Sequence, residues 1–147
     1  MGSDPARLID VAGGRVIHSS RVLLADDHPG FAAAIGEYVA EAFQLVGTVR
    51  DGSALLEAAT TLKPDVIVTD MSMPGTDGLT AMKQILMHLP HVRVILLTNY
   101  GDAHLVRHAL DAGASGFVLK VNAPTELVEA IRTVVDGGTY VSRAIAV

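Results

Sequence analysis

Asp26-Asp27, Asp70, Thr98 and Lys120 are the residues of this chain whose types could do chemistry together. Each follows or ends a short apolar run: Val22 to Ala25, Val66 to Thr69, Val92 to Leu97, and Gly116 to Leu119. Runs of that length, bounded by turn residues such as Pro74-Gly75, read as buried strands. Each polar residue also has a plain structural reading. Asp commonly caps a turn or helix, Thr is a good strand residue, and a strand-end Lys can simply be solvated. Their shared position carries more information. Parallel strands bring their C-terminal ends to one edge, and open α/β sheets bind ligands there. Crowded carboxylates repel one another, and a hard cation relieves the repulsion. Mg²⁺ prefers oxygen ligands and is held by one or two carboxylates plus phosphate oxygens. An ammonium and a hydroxyl beside it suit a phosphoryl group. Asp70 could then be a carboxylate nucleophile that becomes an acyl phosphate. Charge stabilisation by the metal and Lys120 would supply most of the catalysis.

These residues need a scaffold that aligns the strand ends. After the Asp26 strand, His28-Pro29 opens a helix, with Pro in its first turn and Phe31, Ile35, Val39 and Ala42 at helical spacing. A second strand fits Leu45 to Val49. Asp51-Gly52-Ser53 caps a second helix with Leu55, Leu56, Ala59 and Leu62 inward, stopped by Lys63-Pro64. Asp77-Gly78 starts a third helix lined by Leu79, Met82, Ile85, Leu86 and Leu89. Asp102 caps a fourth, which Gly113 ends. Pro124 sits in the first turn of a fifth, with Leu127, Ile131, Val134 and Val135 inward, and Gly137-Gly138 closes it. Five strands alternating with five helices predict a parallel sheet covered by helices on both faces.

Composition agrees with one such domain. The chain has 147 residues, half of them hydrophobic and only 18% charged. Ala, Val, Leu and Gly supply the apolar excess, as strands buried on both faces require. Without cysteine there is no disulfide framework, thiolate metal site or cysteine nucleophile. The formal charge of -5, with no cluster of Lys and Arg, leaves no electrostatic footprint for nucleic acid. No apolar run reaches the roughly 18 residues of a membrane helix, and the N-terminus lacks the apolar core of a signal peptide. Residues 1–20 read as a flexible or loosely docked extension, 21–142 as the domain, and 143–147 as a tail. The six histidines show no metal-ligand spacing; His104 and His108, one turn apart, read as a solvated face.

As a set, Asp26-Asp27, Asp70-Met71-Ser72-Met73-Pro74-Gly75-Thr76-Asp77-Gly78, Thr98 and Phe117-Val118-Leu119-Lys120 resemble the receiver domain of bacterial response regulators. Asp26-Asp27-His28-Pro29, and Glu129 to Arg132 through Gly137 to Ser142, resemble the NarL/FixJ subgroup. The resemblance covers about Arg21 to Ser142. It implies a doubly wound, flavodoxin-like sheet of five strands in order 2-1-3-4-5. It implies Asp70 as phospho-acceptor, Asp27 as direct Mg²⁺ ligand, Asp26 as its water-mediated partner, and the Ser72 carbonyl as a further ligand. Thr98 matches the switch hydroxyl, Phe117 the switch aromatic, and Lys120 the phosphoryl-binding lysine. A sensor histidine kinase is the implied donor, with small acyl phosphates able to substitute. A homodimer and a cytoplasmic location follow from the same resemblance. DNA would be reached only through a helix-turn-helix output domain, which such regulators usually continue into and which is absent before Val147.

Two positions depart from the family pattern. Val121 follows Lys120 where many receivers have a cis proline, so a trans bond is expected. Asn99 follows Thr98 where a smaller residue is common. Neither removes a required group. Ser72 and Tyr100 flank the path of a hydrolytic water; a short serine and a large tyrosine there predict a long-lived phosphoryl group. The residues alone also admit a phosphorylation-independent interaction module, a phosphatase of the haloacid dehalogenase type and a flavin- or nucleotide-binding module. The phosphatase reading is weakened because Ser72 stands where a second acid is expected. The nucleotide reading is weakened because no glycine-rich loop follows the first strand.

Overall fold

A computed structural model describes residues 8–10 and 16–145. The chain opens with an antiparallel pair, β1 (Leu8–Asp10) and β2 (Val16–His18), and β2 runs close to the first helix. The main body then alternates β3 (Arg21–Ala25), α1 (Pro29–Ala42), β4 (Gln44–Val49), α2 (Gly52–Leu62), β5 (Val66–Asp70) and α3 (Gly78–His88). It continues with β6 (Arg93–Thr98), α4 (Ala103–Asp111), β7 (Gly116–Leu119), a 3-10 turn over Lys120–Asn122, α5 (Ala123–Val135) and β8 (Tyr140–Val141).

The sheet order is β4-β3-β5-β6-β7-β8, and every pairing in it is parallel. The first five strands reproduce the expected 2-1-3-4-5 order. The sixth corrects the five-stranded expectation. Tyr140–Val141 pairs with Gly116–Phe117, and Gly137 (φ 92) makes the turn that returns the chain to the sheet. Two residues are too short to give a readable alternation, so the sequence carried no strand signal there.

Strand side chains alternate between two cores. Val22, Leu24, Val66, Val68, Ile95 and Leu97 face α1 and α5, meeting Ile35, Val39, Leu127 and Ile131. Leu23, Ile67, Val94, Leu96 and Phe117 face α2, α3 and α4, meeting Leu55, Ala59, Met82, Ile85 and Val106. β5 lies between β3 and β6 and is buried along its whole length. The expected caps are in place: Asp51, Asp77 and Asp102 accept from the Ala54, Thr80 and Leu105 N–H groups, each at 2.8 Å. These caps fix where α2, α3 and α4 begin, and hence the loops at the C-terminal edge of the sheet.

The N-terminal extension falls partly on residues 1–7 and 11–15, outside the described residues. Of the 143–147 tail, residues 146–147 lie outside as well, while Ile145 is buried in the α4-side core.

Candidate functional site

The sheet's C-terminal edge brings the predicted residues together. Asp26 follows β3, Asp70 ends β5, Thr98 ends β6 and Lys120 follows β7. β3 and β6 flank β5 directly, so Asp26 and Thr98 lie on either side of Asp70. The loop from Met71 to Asp77 is held against this edge by two glycines. A side chain at Gly78 would strike the Asp70 carbonyl, and one at Gly52 would strike Thr76.

Lys120 is the centre of the polar network. Its Nζ donates to Asp70 Oδ2 at 2.8 Å and lies 3.0 Å from Asp26 Oδ2. It also sits 5.0 Å from the centre of the Phe31 ring, a cation–π distance. Asp26, Asp70 and Lys120 are all buried, at 0%, 3% and 8% exposure, so these contacts are poorly screened. Burial pushes the Asp70 carboxyl up, and Asp26 adds to this; Lys120 and the Ser72 N–H oppose it. Burial disfavours the Lys120 ammonium, but Asp70 and Asp26 outweigh it and hold its pKa above the ordinary value. Three carboxylates with one ammonium leave the pocket with excess negative charge.

Asp70 does not cap α3, since Asp77 does that. Its Oδ1 instead accepts from Ser72 N–H at 3.0 Å, fixing the loop that follows. Asp26 Oδ1 accepts from His28 N–H at 2.7 Å at the start of α1. Asp27 is only partly buried. Thr98 is buried, and its Oγ1 accepts from Tyr100 N–H at 3.1 Å. Tyr100 is 74% exposed and lines a cleft with Asp27, Ser72, Thr98 and Leu105. Phe117 sits one strand away from Thr98 and is fully buried. The backbone of Ser142 closes that side of β7, its N–H donating to Phe117 O at 2.9 Å.

The donors of this cluster could hold a metal ion. Asp26 Oδ2 and Asp27 Oδ1 are shielded from solvent yet in no hydrogen bond, although both lie near a cationic or imidazole nitrogen. Ligand atoms of Asp26, Asp27, His28 and Asp70 all fall within 4.8 Å of one another. No other such group of three or more occurs among the described residues. His28 is thus a member of the cluster that the sequence did not single out, and Phe31, under the Lys120 ammonium, is a second residue of the site it did not single out. His28's position next to Asp26-Asp27 was the available signal. His104 and His108 are exposed, as expected. The Lys120–Val121 peptide is trans.

Comparison with known proteins agrees with this geometry. Residues 22–132 match the response regulator receiver domain model. The oxygen regulatory protein NreC of Staphylococcus haemolyticus is 39% identical over 127 residues, covering 82% of this chain and 57% of NreC. The response regulator GacA of Pseudomonas viridiflava is 37% identical over 128 residues, covering 86% of this chain and 60% of GacA. The non-phosphorylated receiver domain of the stress response regulator RcsB from Escherichia coli superposes with a TM-score of 0.80 at 33% identity, covering 86% of this chain and all of that domain. The chain spans about half the length of the curated relatives it matches. This chain belongs to the response regulator receiver domain family, in its NarL, DegU and RcsB-type branch.

Proposed function

We propose that this receiver accepts a phosphoryl group on Asp70 from a sensor histidine kinase and uses it to control an output, most directly transcription. The observation that carries this reading is the buried Lys120–Asp70 contact of 2.8 Å beside Asp26 and Asp27. In the transfer, an Asp70 oxygen forms a bond to phosphorus as the bond from phosphorus to the donor imidazole breaks. The imidazole nitrogen keeps the electron pair and takes a proton. Lys120 would hold a phosphoryl oxygen, and the Met71–Asp77 loop orients Asp70 through the Ser72 N–H. Mg²⁺ is the proposed cofactor. Asp26, Asp27, Asp70 and the Ser72 carbonyl would hold it, and when bound it would neutralise charge on the transferring group. The chain's only catalysis in this reading is its own phosphorylation and dephosphorylation.

Switching rests on Thr98. Its hydroxyl is engaged by Tyr100 N–H at rest. Turning it toward a phosphoryl group draws on the loop before α4. Gly101 of that loop packs under Ile145 and Leu119, so the pull reaches the Phe117 strand and the C-terminal segment. The readout face is then α4, β7 and α5. RcsB has been solved as two dimers bound to two parallel DNAs. By that likeness a homodimer and a DNA-binding output domain are proposed for the whole protein. No helix among the described residues is long and apolar enough to cross a membrane, and a cytoplasmic site of action is proposed on the family's behaviour.

Intact-mass measurement after incubation with Mg²⁺ and acetyl phosphate tests the reading. One phosphate should add to the wild-type chain and none to Asp70→Asn. Equal labelling of both would refute Asp70 as acceptor; labelling of neither would favour a phosphorylation-independent module.

A further inference from the structure

Among the described residues, His28 is the member of the acidic cluster that offers a ring nitrogen. Its Nδ1 lies 3.1 Å from Asp27 Oδ1 and 3.3 Å from Asp26 Oδ1. Two neighbouring ligands at roughly 2.0–2.1 Å from one metal stand about 2.9–3.4 Å apart, for bond angles between square and tetrahedral. Both contacts fall in that range. The same atoms already gather around a cation: Lys120 Nζ lies 3.5 Å from His28 Nδ1, 3.0 Å from Asp26 and 2.8 Å from Asp70. Asp26 is fully buried, and among the described residues its Oδ2 has only the Lys120 ammonium, at 3.0 Å, as a partner. The ring itself is held by its position rather than by packing. His28 N–H is tied to Asp26 Oδ1, Pro29 follows at the start of α1, and the side chain is 65% exposed.

We propose that His28 is a direct nitrogen ligand of this site and tunes it toward borderline divalent transition ions, of the Co²⁺ and Zn²⁺ class, over Mg²⁺. The inference rests on the reading of the acidic pocket as a metal site. Carboxylate and water oxygens suit Mg²⁺, whereas imidazole adds affinity for Zn²⁺, Co²⁺ and their neighbours and little for Mg²⁺. His28 therefore acts on selectivity between ions. Asp26, Asp27 and Asp70 act on affinity for all of them.

Titration of the full chain with Co²⁺ alone, followed by its visible absorption, and separately with Mg²⁺ alone, tests this. His104→Ala with His108→Ala serves as the background, because imidazoles one helical turn apart can hold a transition ion by themselves. In that background His28→Ala should lower Co²⁺ affinity about tenfold or more, since losing even an outer partner of a metal ligand costs roughly 10–100-fold. Its Mg²⁺ affinity should stay within about twofold. Adding Zn²⁺ should also shift the Nδ1 resonance of His28 in a long-range ¹H–¹⁵N spectrum of the chain with His28 intact. Equal Co²⁺ and Mg²⁺ affinities before and after His28→Ala, with the Nδ1 resonance unmoved, would overturn the ligand assignment while leaving the acidic site intact. If Asp27→Ala changes neither ion's affinity, or neither ion binds at all, the acidic site itself is misread and the inference falls with it.

Discussion

Tyr140→Phe measures how firmly the last strand is held. The Tyr140 hydroxyl donates to Glu126 Oε1 at 2.9 Å, and both side chains are 8% exposed. Burial, and then Glu126, push the tyrosine pKa from 10.0 up to about 12. A hydrogen bond to a charged group contributes about 1.5–3 kcal/mol; the raised pKa, whose largest cause is burial, sets the pH window rather than the size of the bond. The folded state holds this proton more tightly than the unfolded chain does. The contribution is thus fully present below pH 10 and is lost as pH rises through about 12. Urea unfolding of wild type and Tyr140→Phe across that window reads it directly. The wild type should be more stable by about 2 kcal/mol at pH 7, and the gap should close by pH 12. A gap under about 0.5 kcal/mol at pH 7, or one that is flat through pH 12, would refute the idea that this hydrogen bond anchors β8.

Three further outcomes are expected. Asp27→Ala should weaken Mg²⁺ binding sharply with the fold intact, as followed by NMR shifts on titration, because it removes one carboxylate from a crowded, partly exposed position. Tyr100→Ala should speed decay of the acyl phosphate in a single-turnover experiment, and Ser72→Asn should speed it further by holding the water; an unchanged or slower rate in Tyr100→Ala would show that the ring is no shield. Gly78→Ala should destabilise the chain by about 3 kcal/mol or more in chemical unfolding, since its Cβ meets the Asp70 carbonyl rather than a movable side chain.

Much of the scaffold was legible because its signals are local. Val66 to Thr69 announces a strand buried on both faces. Asp51, Asp77 and Asp102 announce helix starts through the side-chain oxygen each offers to a backbone N–H. The acidic edge was legible because a parallel sheet fixes where every strand ends, whatever the helices do. What escaped notice depends on contacts between distant segments. Tyr140–Val141 is a strand only because Ser115 and Phe117 offer it carbonyls. Phe31 reads as one more apolar helix residue until Lys120 is folded over it. Thr98 was expected as the switch hydroxyl, but its resting bond from Tyr100 N–H depends on a turn no periodicity reveals. His28 looked like an entry residue to α1 because its neighbours in the pocket lie on other strands.

The sixth strand also decides where this domain can be cut. The family match stops at residue 132, inside α5. β7 is completed beyond that point: Tyr140 N–H donates to Ser115 O, Ser142 N–H to Phe117 O, and Leu119 N–H to Ser142 Oγ. A fragment ended at α5 would bare the edge of β7, whose Gly116, Phe117 and Val118 are all buried. Apolar strands with unpaired backbone groups recruit other chains. Present as it is, β8 offers an edge of only two residues, with Arg143 two positions beyond it, which is short and charged enough to discourage sheet-to-sheet association. Solubility of an isolated receiver piece therefore depends on residues that carry no part of the phosphorylation chemistry.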